Sequence, residues 1–325
     1  MSFKPWLRAA DLCNPSHYEF EPVSCYLCGS ENCREFIIGE EDLTGKDGQF
    51  LYVKCDNCSL VYQNPRLNIG SIKEFYDSEY IAHRKKKNWG VLTPLYERAM
   101  NKHDRDKDKL TNRFVQVNSH TRLLDVGCAV GTYLLHMNQK YDCEISGVDF
   151  KEGLDYPGFD KINFYEGLFY EQDIQEQSID VITMWHYLEH DYDPNQSLVM
   201  SRKVLTDGGK LIIEVPRLDS LTFKIFGNKW PGIQAPQHTA LFDKKSLISL
   251  LEKNGFEVEY YLPYGAFPAY FYLFTGAYFK FIGKGLNLNK IIAPYFLFQL
   301  LLSPLLLFTK YINLSMQTVV CRKKL

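Results

Sequence analysis

From Thr121 to Leu262, short apolar runs alternate with segments in which apolar residues recur every three or four positions. Strands covered on both faces read as near-continuous apolar runs, and helices that cover them read as one apolar stripe. The rhythm therefore predicts an α/β, doubly wound, Rossmann-like fold. Predicted strands are Arg122–Val126, Glu144–Asp149, Lys161–Tyr165, Ile179–Met184, Lys210–Val215 and Phe256–Leu262. Gln317–Cys321 reads as a last strand before a basic tail, completing a seven-stranded sheet. One helix is marked at both ends, with Asp243 as its cap, Leu247, Leu250 and Leu251 on its inner face, and Gly255 closing it.

The flanks read differently. Residues 20–66 are turn-rich and carry two cysteine pairs. Residues 67–118 are polar and read as a helical linker or cap, its charge runs Arg84–Lys87 and Lys102–Lys109 taken as solvated faces. Residues 119–262, completed by 315–322, form the predicted cofactor domain. Residues 263–310 read as an apolar helical hairpin: Tyr260–Phe279 and Ile291–Thr309 carry no charge and flank a polar turn. Pro294 and Pro304 interrupt the second segment, and a terminal strand that rejoins the sheet requires the insertion to leave and return on one side. Two readings stand level for it, peripheral membrane contact and a packed lid or homodimer interface, with a transmembrane hairpin behind both.

Composition narrows the class. Hydrophobic residues at 46% and charged residues at 23% are those of a soluble globular protein, and a net charge of -2 predicts no nucleic-acid partner. Met1–Asn14 holds no continuous apolar run, so no cleaved secretory signal is expected. Of nine cysteines, four sit in C-x-x-C pairs in a long chain, which predicts a reduced, cytoplasmic setting, with the inner membrane face open through the hairpin. Tyr and Phe, 22 each, suit an aromatic-lined pocket or an aromatic core.

The first strand ends in Asp125 and opens through Gly127-Cys128-Ala129-Val130-Gly131 into a helix. Glycines let backbone approach a ligand and the helix start offers free N–H donors, so a nucleotide-type cofactor is predicted. Asp149, closing the second strand, stands where an acid takes ribose hydroxyls. The spacing is not the G-x-G-x-x-G of a nicotinamide site. It resembles the class I S-adenosylmethionine-dependent methyltransferase loop, in the small-molecule branch, with Ala129 in place of the middle glycine and expected at negative φ. The resemblance extends through Asp180–His190 with Asp193-Pro194, and through Gly208–Pro216. It implies that Asp125 and the backbone of Gly127, Cys128, Ala129 and Gly131 hold the methionine part. Asp149 would take the ribose, Phe150 would pack near adenine, Gly167 and Leu168 would close over the base, and Met184 and Trp185 would line the methyl end.

Cys25-x-x-Cys28 and Cys55-x-x-Cys58 form two knuckle-like turns whose four thiolates suit a closed, structural Zn²⁺ site. Cys33 is a spare candidate ligand; Cys13, Cys128, Cys143 and Cys321 read as packing residues. The zinc-ribbon-like module also resembles the zinc-binding N-terminal segment of bacterial methyltransferases that act on sugars or accompany surface-polysaccharide enzymes. That resemblance rests on Leu60–Arg66 and Phe75-Tyr76 through Tyr80. It implies a small-molecule acceptor, a sugar or a lipid-linked glycan precursor.

Methyl transfer aligns nucleophile, methyl and sulfur in line, and a hydroxyl or carbon acid also needs a base. His186, at the fourth-strand exit, is the first candidate, with Glu189 and His190 beside it. His238 is the second, on a loop able to fold over the pocket, with Trp230 as a wall. His186–His190 also matches H-x-x-E-H, but a metalloprotease needs that motif on a long helix, whereas here it follows a strand and soon meets Pro194. A non-catalytic module that keeps the zinc ribbon and cofactor fold for partner binding is the competing function.

Overall fold

The computed structural model describes residues 3–76, 93–150, 156–285, 288–302 and 314–324. The chain begins with helix α1 (Pro5–Ala10) and strand β1 (Phe20–Glu21). An antiparallel meander follows, β2 (Cys33–Glu40), β3 (Gln49–Cys55) and β4 (Val61–Gln63). Strand β5 (Arg66–Leu67) returns to pair with β1, and α2 (Ile69–Ile72) starts on the Asn68 side chain. The long helix α3 (Thr93–Phe114) leads into β6 (Arg122–Val126), α4 (Thr132–Tyr141), β7 (Glu144–Asp149) and β8 (Asn163–Glu166). Next come β9 (Ile179–Trp185), α5 (Pro194–Val204), β10 (Leu205–Pro216) and α6 (Leu221–Phe226). The chain continues with β11 (Ala240–Leu241), α7 (Lys244–Lys253), β12 (Phe256–Leu262), α8 (Ala269–Phe281), α9 (Leu288–Leu302) and β13 (Met316–Lys323).

The central sheet has seven strands in the order β12-β13-β10-β9-β6-β7-β8. Only β13 runs against its neighbours. The chain enters in the middle at β6, winds outward through β7 and β8, then returns to β9 on the other side. Loops after β6 and β9 therefore diverge and open a crevice at the carboxyl ends of the strands, where open α/β sheets bind ligands.

Four strands differ from expectation, two of them only at their ends, β9 running on to Trp185 and β13 spanning Met316–Lys323. The third is Asn163–Glu166 rather than Lys161–Tyr165, because Gly158, at φ 87°, starts a 3₁₀ turn that takes residues 159–161. The fifth begins at Leu205, with its register against β9 shifted between Leu205 and Lys210. Helix α7 is as the periodicity expects: Asp243 and Ser246 form a capping box, Leu247, Leu250 and Leu251 are buried, and Gly255 ends it at φ 79°.

The smaller sheet, β11-β4-β3-β2, takes its edge strand from residues 240–241, with Ala240 opposite Tyr62 and Leu241 opposite Val61. Leu51, Val53 and Tyr62 share one buried cluster with Val126, Met184 and Leu247. A short meander buries little on its own, and here it gains a core from the large sheet. Cys13 is exposed rather than packed, since it follows a helix with no buried residues.

Within 263–310, α8 and α9 meet along an aromatic seam, Tyr270, Phe271 and Phe274 lying 5.8, 5.7 and 5.5 Å from the Tyr295 ring. Pro294 lies inside α9. Tyr80, Arg84–Lys87 and Pro304 fall outside the described residues. Among the described residues no helix is long and apolar enough to cross a membrane.

Candidate active site

The loop after β6 is built around a buried acid. Burial pushes Asp125 up to about 6, against the pull of Lys107 and a 2.6 Å bond donated by the Thr183 hydroxyl. The chain then turns through Gly127 at φ 78° and Gly131 at φ 73°. A Cβ on Gly131 would stand 2.2 Å from Ile162 Cδ1 and would be strained at that φ, which favours glycine. Ala129 is a correction: it sits at φ 50°, not at negative φ. Its N–H donates to Asp149 Oδ2 at 2.8 Å, which holds it in the left-handed region at a cost of roughly 1 kcal/mol. No side chain caps α4, whose first-turn N–H groups remain as anion donors.

Asp149, Phe150, Gly167 and Leu168 gather at the carboxyl ends of β7 and β8. The Asp149 carboxylate also accepts from Phe150 N at 2.7 Å, and its carbonyl accepts from Gly167 N at 2.9 Å. A carboxylate has room for further donors beyond these two. Phe150 is half-exposed, which leaves one ring face for a ligand.

A cavity of about 1030 Å³ starts at this loop. Asp125, Gly127, Ala129 and Trp185 line one end; Phe271, Phe279, Tyr295 and Leu297 line the other. Between them stand His103, His186, His190, His238, Trp230 and Phe267. Met184 is a correction. It is fully buried in the core, because consecutive strand residues face opposite sides, so of the two only Trp185 reaches the cavity. The Trp185 Nε1 is buried with no hydrogen-bond partner among the described residues.

Sequence reasoning missed the part played by α3. The run Lys102–Lys109 is not wholly solvated: Asp104 and Asp108 are buried. Asp108 binds His136, Lys140 and Tyr141 at 2.9, 2.7 and 2.7 Å, fastening α3 to α4. That places Lys107 over the rings of Tyr133 and Trp185, at 5.5 and 5.6 Å. Two acids four apart, astride a lysine, were the available signal.

His186 lies just past β9 at φ 58°, its N–H bonded to Glu214 O at 2.9 Å. Its Nδ1 is 3.2 Å from Glu189 Oε1 and its Nε2 is 3.3 Å from Glu214 Oε1. Burial alone would lower its pKa, but the two carboxylates prevail and lift it to about 9. A ring so lifted favours its protonated form, in which both nitrogens are donors. Glu214 also accepts from Ala266 N and Phe267 N, at 2.7 and 2.8 Å, tying β10 to the loop that enters α8. His190 and His238 are both pushed down by burial, and their rings meet edge to face at 4.4 Å. Glu189 is buried behind the cavity wall.

The four cysteines converge. Sγ of Cys25 and Cys58 lie 3.4 Å apart and those of Cys28 and Cys55 3.5 Å, all four within one 4.8 Å cluster. Tetrahedral zinc at about 2.3 Å from each sulfur sets sulfurs nearly that far apart. The two turns match: Gly29 N and Ser59 N close on Cys25 O and Cys55 O, and Gly29 and Ser59 sit at φ 73° and 68°. Cys33 is not among the four.

Residues 95–261 match the family model described as a methyltransferase domain, just over half of the chain. The chain belongs to the methyltransferase-domain family. A curated relative, a probable S-adenosylmethionine-dependent methyltransferase from Mycolicibacterium smegmatis, is 27% identical over 146 residues, covering 42% of this chain. The chain spans about half the length of that relative, 52%. A geranyl diphosphate methyltransferase solved in complex with SAM shares the fold at a TM-score of 0.51 and 10% identity, over 75% of this chain and 95% of that one. The same enzyme with GPP and sinefungin superposes at 0.50, again at 10% identity, over 75% and 85%.

Proposed function

We propose that this methyltransferase-family chain transfers a methyl group from S-adenosylmethionine to a small-molecule acceptor with an apolar part, such as a lipid-linked sugar. The observation that carries this reading is the continuity of the cavity: it runs from the cofactor loop past the histidines into a chamber walled by α8 and α9. A module that only bound the cofactor would need no such chamber, which favours the enzyme over the non-catalytic reading.

S-adenosylmethionine would bring the methyl on a cationic sulfur. Asp125 and the Gly127–Gly131 backbone would hold its amino acid part, Asp149 the ribose hydroxyls, and Phe150, Gly167 and Leu168 the adenine. Trp185 and Tyr133 would face the methyl. His190 and His238, with Glu189 and the His186–Glu214 pair beneath them, would position the acceptor atom. Phe271, Phe279 and Tyr295 would exclude water from its apolar part. Zn²⁺ on Cys25, Cys28, Cys55 and Cys58 would be structural, since four thiolates leave no open position.

The exposed Phe281, Ile282, Leu300 and Leu301 of α8, α9 and their junction suit a membrane-surface contact at the cytoplasmic face. The test is methyl-labelled cofactor incubated with the organic and the aqueous fractions of one cell extract. Labelled product should form in the organic fraction; label appearing only in the aqueous fraction would contradict the apolar acceptor. Sedimentation with liposomes checks the contact, and a protein left wholly in the supernatant would sink it.

A further inference from the structure

At the wall of the same cavity, lined by His190 and His238 with Glu189 buried behind them, these three residues each bring one ligand atom to within 4.8 Å of the others. A carbonyl oxygen can only accept a hydrogen bond. Gly232 O, 2.9 Å from His238 Nδ1, therefore sets that ring's proton on Nδ1; Gln237 O, 3.1 Å from His190 Nδ1, favours the same tautomer there, with the Tyr76 hydroxyl, which can accept, 3.0 Å from the same nitrogen. Both Nε2 atoms are then left as lone-pair nitrogens. This is the tautomer of metal-bound imidazole, whose other nitrogen donates to a carbonyl or carboxylate. Glu189 supplies the anion: Oε1 pairs with His186, while Oε2 is buried with no hydrogen-bond partner among the described residues.

With Oε1 taken by His186, the unpartnered Oε2 beside two imidazoles is costly to bury unless a further group completes it. We propose that Glu189, His190 and His238 form a site for one divalent transition-metal ion, separate from the four-cysteine cluster. Two imidazoles and a carboxylate suit Mn²⁺, Fe²⁺ or Zn²⁺, and three protein ligands leave positions for water or an oxygen of the acceptor. The H-x-x-E-H run contributes only its last two members, because both nitrogens of His186 face carboxylates. His238, brought by a distant loop, takes the third place. That the ion would orient an acceptor oxygen rests on the methyltransferase reading; that it binds does not.

The test uses the full chain given a single equivalent of Zn²⁺, which the four thiolates take first, then titrated with Mn²⁺, which thiolates disfavour, followed by electron paramagnetic resonance. The expected result is one Mn²⁺ bound per chain, with imidazole nitrogen coupling in its pulsed spectrum, and binding at least tenfold weaker in His238→Ala and Glu189→Gln. The nitrogen coupling is read on the unaltered chain and stands even if a variant fails to fold. No bound Mn²⁺, binding without nitrogen coupling, or unchanged binding in a folded His238→Ala would overturn the site. Calorimetry with S-adenosylmethionine on the same sample separates the two readings. Cofactor binding without the second metal rejects the metal site alone, and metal binding without cofactor rejects the methyltransferase reading alone.

Discussion

Two residues of the glycine loop carry its strain and its charge. Ala129 holds a conformation that glycine adopts freely, at φ 50°. Ala129→Gly should therefore raise stability by about 1 kcal/mol, less the entropy glycine returns to the unfolded chain, as read by urea denaturation; a loss of stability would show that Ala129 is not strained. Asp125 has its pKa raised to about 6 by burial, so below that pH it is protonated in the empty site. A cationic cofactor prefers the ionised form. Its affinity should tighten by nearly tenfold per pH unit below about 6 and level off above, and in Asp125→Asn it should be weak and flat. The same shift has a stability cost. A carboxyl whose folded pKa exceeds the unfolded value of about 3.9 weakens the empty fold as pH rises from there to about 6. Asp125→Asn should thus be the more stable protein at pH 8, by up to about 3 kcal/mol.

At the scale of elements, the buried acid Asp108 anchors α3 to α4, beside the Thr111–Tyr133 and Thr132–Asp104 hydrogen bonds. Lys140, His136 and Tyr141 hold Asp108 below the usual carboxylate range against the burial that would raise it. A depressed pKa contributes stability above the unfolded value of about 3.9 and loses it as pH falls through the folded one. Asp108→Asn should cost about 2 kcal/mol at pH 7, with the gap from the parent protein constant down to about pH 4 and closing below it. A gap unchanged at pH 3 would mean that Asp108 acts by shape rather than charge. The parallel sheet, α7 and the glycine loop were legible because each rests on local signals: apolar runs, a capping acid, glycines where a side chain would be strained. The inward turn of α3 was not, because its charged run looks like a solvated face until His136 and Lys140 of α4 are placed beside it. Nor could periodicity show that Glu189 and Glu214 flank His186, since they come from different strands' ends and lift a candidate base toward its protonated form.

Over the whole molecule, the two sheets share a core, with β11 closing the smaller one and Leu51, Val53 and Tyr62 packed against residues of the larger. If the four cysteines hold zinc as proposed, its loss should be felt throughout. Cys28→Ser should lower the melting temperature of the chain as one calorimetric transition; two transitions, with the larger one unmoved, would show that residues 20–66 fold independently. The molecule then places a cofactor loop, a polar centre of histidines and carboxylates, and an apolar chamber along one cavity. The most direct test of that arrangement is isothermal calorimetry of the folded, zinc-loaded chain with S-adenosylmethionine at pH 7.5. The account predicts one cofactor bound per chain, with binding lost in Gly131→Val; no heat of binding from the folded chain would contradict it.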